Sequence, residues 1–284
     1  PLFCGARVAI SDSFVPERTL ARMADPELKI SHYFCVPQMA LALRAAENYS
    51  PDMLSSLKAL FTGGAPHPAP QIRAWLDDGI SIVDGYGMSE AGTVFGMPLD
   101  RDVIADKAGC VGIPTPRVQA RVVDEDSNPV AIGTPGELQL KGDNISSGYW
   151  RREQDFQNAR TEDGWFCTGD ILVMDEDGFF RVTDRKKDMY ISGGENVYPA
   201  EVEVQLLDYP GIGEFTVVGI PDPKWGEVGC LFYVADGADI NVEDIEKFLT
   251  ARLAKYKIPK KTRAVTMIPR NGLGKILKNK LRQE

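Results

Sequence analysis

The segment ISIVDGYGMSE, residues 80–90, decides the fold of the first half of this 284-residue chain. Its apolar start predicts a short buried strand, Ile80–Asp84, which ends at the glycine in position 85. Similar apolar runs lie upstream at 30–36 and 57–62, and stretches with helical periodicity follow them. Strands that alternate with helices predict a parallel or mixed sheet covered by helices, which is an α/β fold.

The pattern changes at about residue 109, where short apolar runs separated by turns begin. The dipeptide Asp177-Gly178 between two such runs indicates a hairpin. Beyond residue 187, apolar strands accompany an amphipathic helix predicted over 242–253. We therefore expect a domain over 1–187, made of an α/β layer (1–108) and a β-rich subdomain (109–187), followed by a small mobile α+β domain over 188–284.

Composition excludes several functional classes. The 41 acidic and 32 basic residues give a net charge of −9, which argues against general nucleic-acid binding. The five cysteines form no CxxC pair, and only two histidines are present, so a disulfide framework and a histidine-rich zinc site are both disfavoured. Because no apolar run reaches about 18 residues, no membrane-spanning helix is expected. Without a targeting signal, a cytoplasmic location is the default expectation.

Four glycine-containing segments combine residue types that suit nucleotide chemistry. An aromatic ring can stack on a base, a hydroxyl and a carboxylate suit phosphate and Mg²⁺, an Asp can accept from a ribose diol, and a Lys can stabilise developing negative charge. Each segment alone also fits a tight turn, a charged linker or a solvated basic surface. The segments are DGYGMSE (84–90), GWFCTGD (164–170), DRKKDMYISGGEN (184–196) and PRNGLGK (269–275).

Together with Thr62-Gly63-Gly64-Ala65-Pro66, the order of these segments resembles the adenylate-forming superfamily. That superfamily includes acyl-CoA synthetases, non-ribosomal adenylation domains and beetle luciferases. The resemblance covers essentially the whole chain. It implies an AMP-forming, fatty-acid- or aryl-acid-activating ligase that uses ATP, Mg²⁺ and coenzyme A, with a carboxylic acid as the other substrate.

The resemblance also assigns roles to individual residues. Lys275 and Glu90 would be catalytic, Lys275 between the carboxylate and the α-phosphate and Glu90 as the Mg²⁺ ligand. Asp170 would accept both ribose hydroxyls, and Arg185 would reach the same ribose. The full nucleotide-binding set that it implies is Gly64, Ala65, Pro66, Asp84, Gly85, Tyr86, Ser89, Asp170 and Arg185.

Lys187 matches the hinge about which the small domain would rotate between the two half-reactions. His32, near the end of a predicted strand, is a candidate for the acyl pocket. His67, beside Pro66, is expected to be an exposed loop residue rather than a base. The complete set implied for the acyl and CoA pockets is His32, Gly87, Met88, Val94, Ser192, Gly193, Gly194 and Glu195.

One departure from the family pattern is the absence of the Ser/Thr-Gly-rich phosphate loop that ends in Pro-Lys. In relatives that loop lies upstream of the matched region, so we expect the chain to be the C-terminal portion of a synthetase. We expect weak nucleotide binding and no useful turnover from this piece alone. Alternatives are loading of a carrier-protein phosphopantetheine, light emission by an oxygenase of the same fold, and a non-catalytic interaction module with a basic tail.

Overall fold

A computed structural model describes residues 5–65, 67–207, 209–235, 240–271 and 275–283. The chain forms two compact units. The first comprises Pro1–Ala120, Leu140–Phe166 and Met174–Arg181, and the second comprises Arg121–Gln139, Cys167–Val173 and Val182–Glu284. Along the described residues, no helix is both long and apolar enough to cross a lipid bilayer.

The first unit contains a mixed five-stranded sheet, as the alternating pattern predicts. The first three strands are parallel, and the last two run antiparallel to their neighbours. In spatial order the strands are β1 (His32–Cys35), β2 (Ala59–Thr62), β3 (Ile82–Met88), β4 (Gly92–Gly96) and β5 (Ile113–Pro114).

Three helices of the first unit begin where the sequence places proline. The first three carry Pro in their first turn, where the missing backbone N–H has no intrahelical partner to lose. Their apolar faces join the strands in one core around Leu20, Leu43, Leu60 and Trp75. The helices are α1 (Pro16–Ala24), α2 (Pro37–Ala45), α3 (Ala69–Asp77), α4 (Arg101–Asp106) and α5 (Glu153–Asn158), with a 3-10 helix at Pro51–Leu54.

A four-stranded sheet occupies the predicted β-rich stretch. Asp175 Oδ1 accepts hydrogen bonds from the backbone N–H groups of Asp177 (3.0 Å) and Phe179 (2.8 Å), so the predicted Asp177-Gly178 hairpin forms. Gly178 takes a φ of +80°, a conformation that glycine adopts without strain. The strands, in spatial order, are β6 (Gln119–Val123), β7 (Gly136–Lys141), β8 (Phe166–Met174) and β9 (Phe180–Arg185).

The C-terminal part of the second unit is an α+β fold built on a long hairpin. Its sheet has the order β11 (Glu195–Val197), β10 (Tyr190–Ser192), β13 (Gly226–Ala235) and β12 (Ile212–Asp222), and β14 (Lys261–Ala264) pairs in parallel with β13. Residues 261–264 pair with Cys230–Tyr233 in this parallel arrangement. The elements are β10 (Tyr190–Ser192), β11 (Glu195–Val197), α6 (Pro199–Leu206), β12 (Ile212–Asp222), β13 (Gly226–Ala235), α7 (Val242–Thr250), β14 (Lys261–Ala264) and α8 (Lys278–Leu281), with a 3-10 helix at Lys255–Lys257.

Tyr190 fills a slot that two glycines leave in this hairpin. Gly219 on β12 pairs with Gly229 on β13. A Cβ at Gly219 would lie 2.3 Å from the Tyr190 Cβ, and a Cβ at Gly229 would lie 2.3 Å from the Tyr190 hydroxyl oxygen. The Tyr190 ring is therefore packed against bare backbone, and its buried hydroxyl has no hydrogen-bond partner within the described residues.

Candidate functional site

The glycine turn after β2 packs directly onto β3. A Cβ at Gly63 would lie only 3.3 Å from the carbonyl oxygen of Gly85. Gly64 adopts a φ of +83°, and Gly64 and Ala65 are exposed at the surface of the unit. The turn thus places Gly63 against Gly85 of β3, and Gly64 and Ala65 follow Gly63 at the surface. Pro66, also assigned to this turn, lies outside the described residues.

Asp84 faces into the unit rather than outward. Its Oδ1 accepts a hydrogen bond from Thr62 Oγ1 (3.1 Å), and its Oδ2 accepts one from the backbone N–H of His67 (3.2 Å). Burial raises the pKa of the Asp84 carboxyl to about 7, although these hydrogen bonds oppose the shift. Asp84 therefore holds the turn in place through both of its carboxylate oxygens.

The expectation that His67 is exposed is wrong. Only 2% of its surface is exposed, and its Nδ1 lies 3.0 Å from Thr62 Oγ1. Burial lowers the pKa of His67 to about 4, so the imidazole is neutral near pH 7. The sequence shows a histidine beside a proline, which is typical of a loop. Its buried partners come from β2 and β3 and become visible only in the fold.

Most of the DGYGMSE segment, Asp84–Met88, belongs to β3, which corrects the prediction that the strand ends at Asp84. β3 runs on to Met88 and pairs with β4, with a register shift between Tyr86 and Gly87. A Cβ at Gly87 would lie 2.5 Å from the carbonyl oxygen of Gly92, so this close hairpin requires glycine. Tyr86 is half-buried against Phe95, with ring centroids 5.7 Å apart.

Glu90, in the turn after β3, is held by a segment that the sequence motifs did not include. The hydroxyl of Tyr149 donates to Glu90 Oε1 at 2.7 Å, and the backbone N–H of Ser146 donates to the Glu90 carbonyl at 2.7 Å. The hydrogen bond to Glu90, with burial, raises the pKa of Tyr149 to about 12. The neighbouring Ser89 is exposed. No spacing rule links residues 90 and 149, so sequence reasoning missed this contact.

The candidate acyl-pocket residues of the first unit do not share one environment. Val94 is fully buried, Met88 is half-buried and Gly87 is exposed. His32 is the first residue of β1, stacked on Phe61 with ring centroids 6.0 Å apart. It therefore lies at the opposite end of the parallel strands from the glycine turn, and its acyl-pocket role stays a prediction.

In the second unit, β8 and β9 bring the two expected ribose-binding residues together. Arg185 Nε lies 3.3 Å from Asp170 Oδ1. Asp170 is 8% exposed, whereas Arg185 is exposed. The backbone N–H of Asp170 donates to Thr168 Oγ1 (3.1 Å), and that hydroxyl donates to the Leu138 carbonyl (2.8 Å), so the Thr-Gly-Asp turn is fixed to β7.

The predicted hinge residue, Lys187, is exposed in the turn after β9. Arg282 Nη2 donates to the Lys187 carbonyl at 3.0 Å, which attaches the C-terminal residues to this turn. Just before it, buried Asp184 accepts from the backbone N–H of Ala200 at 2.9 Å and so caps α6. Burial raises the pKa of Asp184 to about 6. The strand residue before the turn is therefore held in place by its hydrogen bond to α6.

Ser192–Glu195 forms the tight hairpin between β10 and β11. Gly193 and Gly194 have φ values of +63° and +91°. A Cβ at Gly193 would lie 2.8 Å from the ring of Trp225, whose carbonyl also accepts the Gly193 N–H at 2.9 Å. Ser192 is buried, and Glu195 is exposed.

Lys275 closes a short loop near the C-terminus. Its backbone N–H donates to Asn271 Oδ1 (3.0 Å), and the Asn271 N–H donates to the Lys275 carbonyl (2.9 Å). Residues 272–274 lie outside the described residues. The Lys275 side chain is exposed, and it makes no ion pair with any described residue. A lysine so placed can carry its charge to a bound anion.

Two family models match separate segments of the chain. The model described as AMP-binding enzyme matches residues 1–150, and the model described as AMP-binding enzyme C-terminal domain matches residues 201–275. This chain belongs to the AMP-binding enzyme family. The family match confirms the resemblance drawn from the five motif segments.

Known AMP-binding enzymes extend the match. A feruloyl-CoA synthase from Amycolatopsis sp is 41% identical over 283 residues, covering 99% of this chain and 57% of the relative. A 2-succinylbenzoate–CoA ligase from Bacillus cereus is 41% identical over 229 residues, covering 81% of this chain and 47% of the relative. The chain therefore spans about half the length of the curated relatives it matches.

A solved structure of an AMP-binding enzyme confirms the fold class. ATP-bound MatB from Rhodopseudomonas palustris superposes with a TM-score of 0.89 at 33% identity, covering 96% of this chain and 54% of MatB. The fold is thus the mixed α/β fold of adenylate-forming enzymes, as the sequence predicts.

Proposed function

We propose that the protein containing this chain is an AMP-forming acid–thiol ligase. In the first step a carboxylate oxygen attacks the α-phosphorus of ATP, and pyrophosphate leaves. In the second step the thiolate of coenzyme A attacks the acyl carbonyl, and AMP leaves. The observation that carries the proposal is the 41% identity to feruloyl-CoA synthase, because it extends over 99% of the chain and includes every motif segment.

ATP binding is assigned to the exposed glycine turn and to the Asp170–Arg185 pair. Gly64 and Ala65, which have little or no side chain, contact one face of the adenine, and the aromatic ring of Tyr86 contacts the other. Asp170 accepts both ribose hydroxyls, because a carboxylate has enough acceptor sites for a diol. Arg185 contacts the same ribose, because its guanidinium is always charged and carries several N–H donors.

The residues present fit a magnesium ion held jointly with phosphate oxygens. Mg²⁺ is usually bound by one or two carboxylates together with substrate phosphates. No group of three or more His, Cys, Asp or Glu among the described residues could hold a metal alone. Glu90 presents one carboxylate whose Oε1 is fixed by Tyr149 and whose Oε2 has no hydrogen bond to a described residue. When bound, the ion neutralises the polyphosphate, with Ser89 beside Glu90 as a further phosphate contact.

Lys275 is assigned the catalytic role in adenylation. Negative charge shifts onto oxygens around the α-phosphorus as the carboxylate attacks, and a lysine ammonium beside them stabilises that change. Lys187 is assigned as the hinge, because it lies in an exposed turn directly after β9. The Ser192–Glu195 hairpin is assigned to the pantetheine arm of CoA, since a Cβ at Gly194 would meet nothing within 4 Å and the backbone there is open to a narrow chain.

We further propose an aromatic carboxylic acid as the substrate. The names of the two curated relatives, feruloyl-CoA synthase and 2-succinylbenzoate–CoA ligase, both contain aryl acids. The test uses protein expressed from its complete reading frame, incubated with MgATP, CoA and a panel of aryl, fatty and short dicarboxylic acids. Mass spectrometry of the products should show an aryl-CoA.

Each outcome of that test has a distinct meaning. Acyl-CoA formed only from fatty or dicarboxylic acids would overturn the aryl assignment and keep the ligase. Acyl-adenylate that accumulates without any thioester would point to a carrier-protein thiol as the acceptor. Neither product with any acid would overturn the proposed function.

A further inference from the structure

A buried polar chain lies beneath the glycine turn of the first unit. His67 Nδ1 is 3.0 Å from Thr62 Oγ1, and Thr62 Oγ1 is 3.1 Å from Asp84 Oδ1. The backbone N–H of His67 donates to Asp84 Oδ2 at 3.2 Å. These contacts tie both ends of the 62–67 segment to the same carboxylate on β3.

This buried polar chain is enclosed by the first unit. Thr62, His67 and Asp84 are all at most 3% exposed. A buried polar group that loses its partner costs about 1–3 kcal/mol, so this arrangement resists displacement. Because the polar atoms of Thr62 and Asp84 are engaged within the unit, an effect of the chain on a ligand has to pass through the turn that it holds.

The turn and the neighbouring strand are in close contact. Gly63 approaches the Gly85 carbonyl so closely that an added Cβ would lie 3.3 Å from it. Exposed Gly64 and Ala65 follow Gly63 on one side, and Tyr86 follows Gly85 on the other. The spacing between exposed Gly64–Ala65 and half-buried Tyr86 is therefore set by the buried contacts beneath them.

We propose that Thr62, His67 and Asp84 are positioning residues that fix the separation between the Gly64–Ala65 turn and Tyr86, and thereby set the affinity for the adenine nucleotide. The inference rests on the proposed function, because it takes these two segments to flank the adenine.

The titration of Asp84 in this polar chain should also make the affinity for the nucleotide depend on pH. When Asp84 is ionised, the Thr62 hydroxyl donates to it. When Asp84 is protonated, its O–H donates to Thr62, and the Thr62 hydroxyl turns to the Val83 carbonyl, 3.4 Å away. His67 is the titratable side chain joined to Asp84 through this chain, and no charged side chain of the described residues shifts the pKa of Asp84. Since burial raises that pKa to about 7, the change falls near neutral pH.

The test compares matched variants of the protein expressed from its complete reading frame. His67→Leu removes the ring nitrogens, whereas His67→Asn keeps a nitrogen where Nδ1 lies. Thr62→Val removes the central hydroxyl. Thr216→Val is the control, because Thr216 is also fully buried and donates to a carboxylate, Glu203 Oε1 at 2.8 Å, in the second unit.

Calorimetric titration with ATP measures the effect. We expect His67→Leu and Thr62→Val to weaken ATP binding about ten-fold, and His67→Asn to stay within about three-fold of wild type. KM for ATP should rise while KM for the acid does not. Because the terminal phosphate of ATP also ionises near neutral pH, the comparison is between variants: the affinity of wild type should change more between pH 6 and 8 than that of Asp84→Asn. Hydrogen exchange at residues 63–65 should quicken in His67→Leu.

The possible failures are distinguishable. If wild-type protein binds no ATP, the proposed function fails. If wild type binds ATP and both His67→Leu and Thr62→Val bind it equally well, the positioning inference fails while the function stands. An equal loss of affinity in Thr216→Val would overturn the inference in favour of general destabilisation. Should His67→Leu not fold, Thr62→Val and the pH profile of Asp84→Asn decide.

Discussion

The two units hold their candidate residues in opposite ways. In the first unit, exposed Gly64 and Ala65 rest on a buried chain of Thr62, His67 and Asp84. In the second unit, Lys187 and Lys275 are exposed, and buried Asp170 pairs with an arginine that reaches solvent. The Arg185 side chain, for example, remains 45% exposed while it pairs with Asp170.

The buried contacts of the first unit should be rigid, whereas the exposed contacts of the second unit should exchange easily. A buried polar contact is costly to break because its partner is left desolvated. An exposed ion pair contributes only about 0–1 kcal/mol, since water and salt replace it readily. The first unit should therefore hold a ligand in fixed geometry, whereas surface contacts around Lys187 can be exchanged at little cost, as a hinge requires.

The largest expected effect comes from an exposed residue of the second unit. Lys275→Ala should lower the rate of acyl-adenylate formation by about 10²–10³-fold, because a charge beside the reacting phosphorus is lost. The melting temperature should stay unchanged, since the side chain is exposed. Lys280→Ala, a neighbouring exposed lysine, is the matched control and should keep full activity. Equal losses in both variants would make Lys275 an ordinary surface charge.

The next effect shows that the second unit is tightly packed beneath its surface turns. Gly229→Ala places a Cβ 2.3 Å from the Tyr190 hydroxyl and should cost about 2 kcal/mol in urea unfolding. Tyr190→Phe alone should be neutral or stabilising, because the hydroxyl has no partner among the described residues. The double variant should recover part of the loss. Purely additive effects would contradict the packing argument.

A third prediction concerns the pH dependence of stability in the first unit. Relative to ordinary values of about 3.9 and 6.5, burial raises the pKa of Asp84 to about 7 and lowers that of His67 to about 4. Between about pH 4 and 6.5 the folded chain holds a proton on Asp84, and the unfolded chain holds one on His67. The proton counts are equal, so the two contributions cancel in wild type.

Variants that remove one of the two groups should show opposite dependences of stability on pH. In Asp84→Asn, stability should fall relative to wild type as pH decreases from about 6.5 to 4, because the unfolded chain alone gains a proton. In His67→Asn, stability should fall as pH rises from about 4 to 7, because the folded chain alone retains one. Each slope can reach about 1.4 kcal/mol per pH unit in urea titrations. Slopes of the same sign in both variants would contradict this account.

The smallest effect is expected at a surface pair of the second unit. Lys186 Nζ lies 2.8 Å from Glu137 Oε2, but 51% of the Lys186 side chain is exposed. Lys186→Ala should therefore change the free energy of unfolding by less than about 1 kcal/mol, and 1 M salt should reduce the difference further. A larger loss that persists in high salt would show that the second unit depends on this pair.

Local patterns predicted the elements of the fold better than their limits. The amphipathic repeat from Val242 located α7, which runs to Thr250, because that face packs through Ile245 and Leu249. The Asp177-Gly178 signal located a hairpin, because its geometry depends on adjacent residues. The extent of β3 was missed, since its pairing with β4 continues past glycines that normally end a strand.

For the candidate site, motif order assigned roles to residues but did not indicate the contacts that support them. Asp170 and Arg185 were assigned from motif order, and the fold places them 3.3 Å apart. His67 and Tyr149 were not recognised, because their partners are 17 and 59 residues away along the chain. Such contacts arise from tertiary packing, for which a single sequence has no periodic or spacing signal.

Oxygen transfer tests the proposed reaction most directly. Protein expressed from its complete reading frame would be given MgATP, CoA and an aryl carboxylic acid labelled with ¹⁸O in its carboxylate. Because a carboxylate oxygen attacks the α-phosphorus and stays with the nucleotide when the thiol displaces it, the account predicts one ¹⁸O in the phosphate of the released AMP. Aryl-CoA formed with ADP and labelled inorganic phosphate, or with unlabelled AMP, would contradict it.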